Sequence, residues 1–268
     1  MKGFDAPPFL LHYDEMPALD GANLRHVRAQ ARELFLPLFL SATDRTTLLN
    51  LKRRLLSSFN PSYGAGQIRV TEQDGSSRWI EVYYASGAEG DEGKSQAGVY
   101  WCKYGLVLRA FDPFFYAGSS QVVEFTPGAL SLKKFFSEPF LGLHLNSSAN
   151  INGTSEVTIT GDVDTWPVWH VQGPGNNLTF KRSVSTGPDL TFSLGISLGP
   201  TDAVVIDTRP GRKSVRHKTT GESFWSRLGP NPQLWPIAPG RNQVTITMSD
   251  VGAETSVVML YQPRYISA

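Results

Sequence analysis

Apolar and polar positions follow a helical period convincingly over one stretch of this chain and a strand-like period over most of the rest. In residues 43–59, Leu48, Leu49, Leu51, Leu55, Leu56 and Phe59 recur at the i, i+3, i+4, i+7 spacing of a single buried helical face. Thr43 or Asp44 can cap its start by accepting from a backbone N–H that has no partner within the helix. Asn60-Pro61 ends it, because proline has no N–H to donate and disfavours helical backbone at the residue before it. The pattern predicts a helix over 44–58. Immediately beyond, residues 67–72 and 78–84 flank Asp74-Gly75 with β-branched and aromatic side chains, the pattern of a tight hairpin.

Ahead of the helix, the first twenty-odd residues are rich in proline and acidic residues and read as an extended arm. Its Phe9, Leu10, Leu11 and Tyr13 require a surface to dock on, either the arm's own domain or a neighbour. Residues 24–31 alternate as a half-exposed strand does. Residues 34–40 are apolar throughout, and the central Pro37 predicts an edge strand or a bulged one. After the hairpin, residues 86–98 hold four glycines and no large apolar side chain, which predicts a polar loop. No GK[ST] sequence is present, so this is not a phosphate cradle. Strands are expected at 99–111 and at 121–125, the latter closing the first unit.

Pro127-Gly128 and Lys133-Lys134 mark a junction within 126–138, so the chain divides into residues 1–127 and 128–268. Past it only short β runs recur: 140–145, 156–160, 168–172, 178–184, 190–196, 203–207, 214–217, 243–248 and 256–261. Turn-forming clusters such as GPGNN, LGPTD and RPGR separate them, the layout of a β-sandwich or jelly roll. The fold class is mainly β: an N-terminal β-domain with one α-helix, followed by a C-terminal β-sandwich.

A net charge of +1 argues against a polyanionic partner, so no sequence-specific nucleic-acid binding is expected. The single cysteine, Cys102, leaves no internal disulfide and no cysteine metal cluster, and its setting in VYWCKYGLVL is that of a packed strand residue. The N-terminal stretch does not read as a secretory signal, and no apolar run approaches a membrane span, so no membrane insertion is expected. Without secretion, the glycosylation-like Asn146, Asn152 and Asn177 carry little meaning.

Candidate chemistry is sparse. His12, His26, His144, His170 and His217 are scattered without metal-ligand spacing. Asp162 and Asp164 lack the further oxygen ligands of a calcium loop. No GxSxG elbow occurs, and nothing singles out a carboxylate pair. No catalytic residue, cofactor or metal is expected, and the chain reads as a non-enzyme. The tryptophans offer an alternative reading as a carbohydrate-binding module for host-surface recognition. Trp166 and Trp169 lie three apart and would face opposite sides of a strand, so one ring can be core while the other stacks on sugar. Trp225 and Trp235 lie near loops rich in proline and glycine. A glycoside or peptidoglycan hydrolase is a more distant third reading.

The order of these pieces resembles the distal tail protein (Dit) family of siphophages. The resemblance covers most of the chain. It runs through the helix and its exit, LLNLKRRLLSSFNPSYGAGQIRV, the DGSSRWIEVYY hairpin and the strand ending in LRAFDPFFY. It continues through VDTWPVWHVQGPGNNLTFKR, VVIDTRPGRKSV, LWPIAPGRNQVTIT and the final VVMLYQPRY. The resemblance implies a structural virion protein at the tail tip, assembled in the host bacterial cytoplasm. Its N-terminal domain would form a homohexameric ring continuing the tail tube, with a galectin-like or jelly-roll domain projecting outward. The implied partners are the tail-tube protein, the tape-measure protein and the tail-associated tip protein of the baseplate, with a receptor-binding protein in some members. The loop at 86–98 and the N-terminal arm depart from the family's motif picture.

Overall fold

The computed structural model describes residues 1–17, 20–90, 97–126, 150–184 and 187–268. The strand expected at 140–145, His144, Asn146, residues 127–138 of the junction and residues 91–96 of the glycine-rich loop lie outside the described residues. The chain separates into two compact units, Met1–Gly118 with Tyr265–Ala268, and Ser119–Arg264.

The first unit begins with β1 (Phe9–Glu15) and β2 (Ala22–Ala29), an antiparallel hairpin forming a two-stranded sheet of its own. Then come β3 (Arg32–Ser41), α1 (Arg45–Ser58), β4 (Gly66–Thr71), β5 (Ser77–Ser86), β6 (Trp101–Ala110) and β7 (Phe115–Ala117). In the main sheet β7, β5, β6 and β3 are consecutive neighbours, and β4 pairs with β5 across the Asp74-Gly75 turn. There Gly75 takes a left-handed φ of 84° that a side chain would resist. β3 is an edge strand, as Pro37 implies. Phe35 exchanges both backbone hydrogen bonds with Lys2 on the outer side of β3. Pro37, two residues on, therefore directs its missing donor to that same outer edge and removes nothing from the ladder with β6.

One side of this sheet is core. Leu34, Ile80, Val82, Leu108 and Phe115 are buried together, and Leu106, Cys102 and Tyr104 pack with Leu48 of the helix. Asp44 supplies the cap, its side chain accepting from Thr47 N at 2.8 Å. The expected single buried helical face is narrower than the leucine pattern suggested. Leu48 is buried and Leu55 and Phe59 are half-buried, whereas Leu49 and Leu56 are exposed. A helix lying on one sheet buries one stripe, and the second leucine stripe is turned away from it.

The second unit is a sandwich of two antiparallel sheets. Its strands are β8 (Gln121–Phe125), β9 (Asn150–Ile159), β10 (Val168–Gln172), β11 (Gly175–Ser183), β12 (Leu190–Leu198), β13 (Ala203–Asp207), β14 (Ser214–His217), β15 (Gly240–Ser249) and β16 (Ser256–Tyr261). One sheet runs β14-β13-β10-β16-β8 and the other β12-β11-β15-β9. Alternate residues from both enter one core, in which Trp169, Val204, Ile206 and Met259 meet Phe180, Phe192, Leu194 and Ile246. β10, β13, β14 and β16 fall on the short β runs expected between turn-forming clusters.

Two expectations change. Residues 121–125 form a strand as expected, but β8 pairs with β16 of the sandwich and does not close the first unit. The division between units accordingly falls at 118 and not 127, and the two-residue strand β17 (Arg264–Tyr265) carries the chain back, so that the last four residues belong to the first unit. A strand's own sequence specifies its period and faces but not which sheet completes its hydrogen bonds.

Candidate functional site

Trp166 and Trp169 are not equivalent. Trp169, on β10, has no exposed surface and packs against Phe180, Trp235 and Phe125 with ring centroids 4.8, 5.6 and 6.4 Å away. A fully enclosed ring offers no face to a sugar. Trp166 is half-buried, with the Lys213 ammonium 5.4 Å from its centroid. Trp235 is core, its Nε1 donating to the Phe180 carbonyl at 3.3 Å, while Trp225 stands exposed on a single 3-10 turn.

The ionisable groups form scattered local contacts. His12 and His26 stack across the β1–β2 hairpin at 6.2 Å. His170 titrates below the ordinary histidine range because burial, then the nearby Lys218 charge, disfavours its protonated form. His217 Nε2 lies 3.6 Å from Asp202, and its Nδ1 accepts from the Thr219 and Thr220 backbones. Asp207 grips Arg209 in a fork, with Nε to Oδ1 at 3.0 Å and Nη2 to Oδ2 at 2.6 Å. Among the described residues no group of three or more His, Cys, Asp or Glu converges as a metal would need, and Asp162 and Asp164 are not in one. Among the described residues no helix is long and apolar enough to cross a membrane.

Apolar surface, not titratable chemistry, distinguishes the first unit. Paired residues of a hairpin share a face, so the register places Phe9, Leu11 and Tyr13 of β1 beside Ala29, Val27 and Leu24 of β2. The opposite face carries Leu10 with the polar His12, Asp14, His26 and Arg28, and Arg25 sits at the irregularity beside Tyr13. The five large apolar side chains of the first face are 44–60% exposed. The arm expected from the sequence is thus an amphipathic hairpin with its apolar side uncovered.

The outer side of β3 and β6 is also apolar. Phe35, Pro37 and Phe39 alternate outward along β3, opposite Val107, Gly105 and Lys103. The Phe35 ring lies over Gly105, where a Cβ would come within 2.9 Å of it. Phe39 sits 5.8 Å from Trp101. Phe35, Pro37, Phe39, Lys103 and Gly105, with Gly87 and Glu89 from the strand β5 exit, line an open groove of about 660 Å³. Glu89 is exposed and held at the groove's rim, accepting from Gly87 N at 2.7 Å and from the Tyr84 hydroxyl at 3.3 Å. Contiguous apolar surface of this kind on a folded unit makes it a candidate interaction surface. Sequence reading flagged the arm and the edge strand separately; the alternation of Phe35, Pro37 and Phe39 was a signal for the outer face, hidden inside an unbroken apolar run.

The architecture has a counterpart among solved structures. The crystal structure of the Dit protein of phage SPP1, a paradigm of the hub adsorption apparatus in phages infecting Gram-positive bacteria, superposes with a TM-score of 0.67. The match covers 98% of this chain and 90% of that one at 13% sequence identity. The chain has the Dit fold. A second solved structure, the baseplate of phage P2 in its activated conformation with Ca, matches 96% of this chain and 87% of that chain with a TM-score of 0.49 and 7% identity. No family model and no curated protein matches the sequence. The same fold is therefore carried by two sequences that share 13% of their residues.

Proposed function

We propose that this chain is a structural virion protein, the distal tail hub of a long-tailed bacteriophage of the siphovirus type. In this reading six copies form a ring that joins the tail tube to the tail-tip or baseplate proteins. The observation that carries the reading is the match to the SPP1 Dit hub over 98% of this chain and 90% of that one. A ring of identical subunits needs two different, complementary surfaces on each copy. The first unit offers two separate apolar surfaces, the β1–β2 hairpin face and the outer face of β3. The near-neutral charge of +1 suits a ring through which DNA passes, because a strongly basic lumen would retain the polyanion. The hub's neighbours would be the tail-tube protein, the tape-measure protein and the tail-associated tip protein, with a receptor-binding protein at the periphery. It works by geometry and carries out no reaction. No specific observation favours the carbohydrate-binding reading, since Trp169 is core and Trp166 is half-buried beside Lys213.

Purified full-length protein imaged by negative-stain electron microscopy, with its mass measured by light scattering, tests this directly. Six-fold rings are the expected result. A strict monomer at high concentration that does not associate with tails would overturn it.

A further inference from the structure

We propose that the apolar face of the β1–β2 hairpin of one copy packs on the outer face of β3 and β6 of a second copy. Each subunit is then donor at one side and acceptor at the other. The inference rests on the ring reading above and names the surfaces that would build it.

The hairpin requires a cover. A two-stranded hairpin is marginal in water by itself, and among the described residues this one pairs with no third strand. Phe9, Leu11, Tyr13, Leu24 and Val27 expose together roughly 400 Å² of apolar surface, at the scale that marks an interaction site. The chain's own sheet does not supply the cover. Only Gln30 and Ala31 separate β2 from β3, Gln30 N is tied to the Pro8 carbonyl at 2.8 Å, and the Arg32 guanidinium holds the Gly3 and Asp5 carbonyls. This clamped joint leaves the hairpin standing clear, with its apolar face exposed.

A second copy supplies a surface of the right kind. The outer face of β3 presents Phe35, Pro37 and Phe39 over a groove that the missing side chain of Gly105 keeps open. One charge pair fits across the contact: Glu15 is the one ionisable carboxylate on the hairpin's apolar face by register, and on the acceptor face, where Arg109 already stands opposite Glu33 and Glu89 lines the groove, Lys103 opposite Phe39 is the cation left to meet it. Packing is face to face and not by strand addition. Lys2 already occupies the β3 edge at Phe35, and Pro37 offers no donor beyond it. The hairpin supplies about half of the ~800 Å² per partner that a standard interface buries, so it anchors the contact and leaves the rest to other surfaces of the subunit.

The test uses full-length protein. Leu11→Cys and Phe39→Cys variants, mixed and mildly oxidised, are expected to give a disulfide-linked dimer that neither gives alone; the native Cys102 is buried and stays out of the reaction. A Leu11→Glu/Tyr13→Glu variant is expected to raise the concentration for assembly about tenfold or more while its thermal midpoint stays put, because neither side chain belongs to a core. Glu15→Lys should weaken assembly, and adding Lys103→Glu should restore it. If the wild type assembles and the Leu11→Glu/Tyr13→Glu variant assembles equally well with no mixed cross-link, the hairpin contact is overturned and the ring stands. If the wild type never assembles, the ring reading falls and this contact with it.

Discussion

Arg32 Nη2 donates to the Ile266 carbonyl at 2.6 Å, joining residues 234 positions apart. The same guanidinium donates through Nη1 to Gly3 O at 3.2 Å and Asp5 O at 2.9 Å, and lies 5.0 Å from the Phe115 ring centroid. One buried cation thus gathers both ends of the chain onto the first unit. Arg78 repeats the device, donating to the Ser267 and Ala268 carbonyls and stacking on Tyr265 at 3.8 Å. Burial pulls the Arg32 pKa down to about 10 against the opposing pull of Asp112 and Asp5, so the clasp stays charged at neutral pH.

Arg32→Ala should destabilise the protein by about 3 kcal/mol, since three carbonyls lose a charged donor at once. Arg32→Lys should recover only part of this, because an ammonium cannot reproduce the planar fork. Urea unfolding midpoints of the three proteins check both statements.

In the sandwich, Trp169→Ala should cost about 4 kcal/mol, the scale of emptying a large aromatic site in a packed core. Trp169→Phe should cost distinctly less, because the Trp169 Nε1 has no hydrogen-bond partner among the described residues to lose. Trp166→Ala should shift stability by less than about 1 kcal/mol. Thermal melts of the three variants separate core from surface, and a glycan-binding signal lost on Trp166→Ala without unfolding would revive the sugar-binding alternative.

Gly87→Ala should destabilise the first unit by about 3 kcal/mol. Gly87 has a φ of 97°, and a Cβ there would stand 2.0 Å from the Gly105 carbonyl oxygen, in backbone that cannot retreat. The denaturation midpoint of this single variant is the check, with Gly64→Ala as a control at a position of similar φ and open space.

Asp207 carries a pH dependence. Burial raises its pKa, but the hydrogen bonds and charge of Arg209, with Arg212, outweigh burial and hold the carboxyl below its ordinary 3.8. A carboxylate with a depressed folded-state pKa contributes stability that is present above pH 3.8 and lost as pH falls through the lower folded value. Asp207→Asn should therefore lower stability at pH 7 by about 1 kcal/mol and flatten the acid limb of the stability profile below pH 4, measured by urea titration at several pH values.

Much of this architecture was legible in the residues because it is local. Asp44, Asn60-Pro61 and Asp74-Gly75 act on backbone within a few positions of themselves, so the helix and its following hairpin fall where the sequence places them. Pro37 narrowed its strand to an edge or a bulge, where a missing donor is tolerable, and the pairing with β6 on one side decided for the edge. Short β runs bounded by turn-forming clusters set β10, β13, β14 and β16. Pairing between distant segments was not legible. β8 has the pattern of any half-buried strand, and only its hydrogen bonds to β16 assign it to the sandwich. Leu49 and Leu56 satisfy helical spacing as well as Leu48 does, and only the position of the sheet decides which stripe is buried. The same holds for the two tryptophans: the sequence put Trp166 and Trp169 on opposite faces, and the packing of the two sheets made Trp169 core. Short-range chemistry by itself determined the elements, their ends and their faces. The partners of those faces, including the uncovered hairpin and the Arg32 clasp, were decided by tertiary structure, because hydrogen-bond pairing and apolar burial between segments hundreds of residues apart leave no periodic trace in either segment.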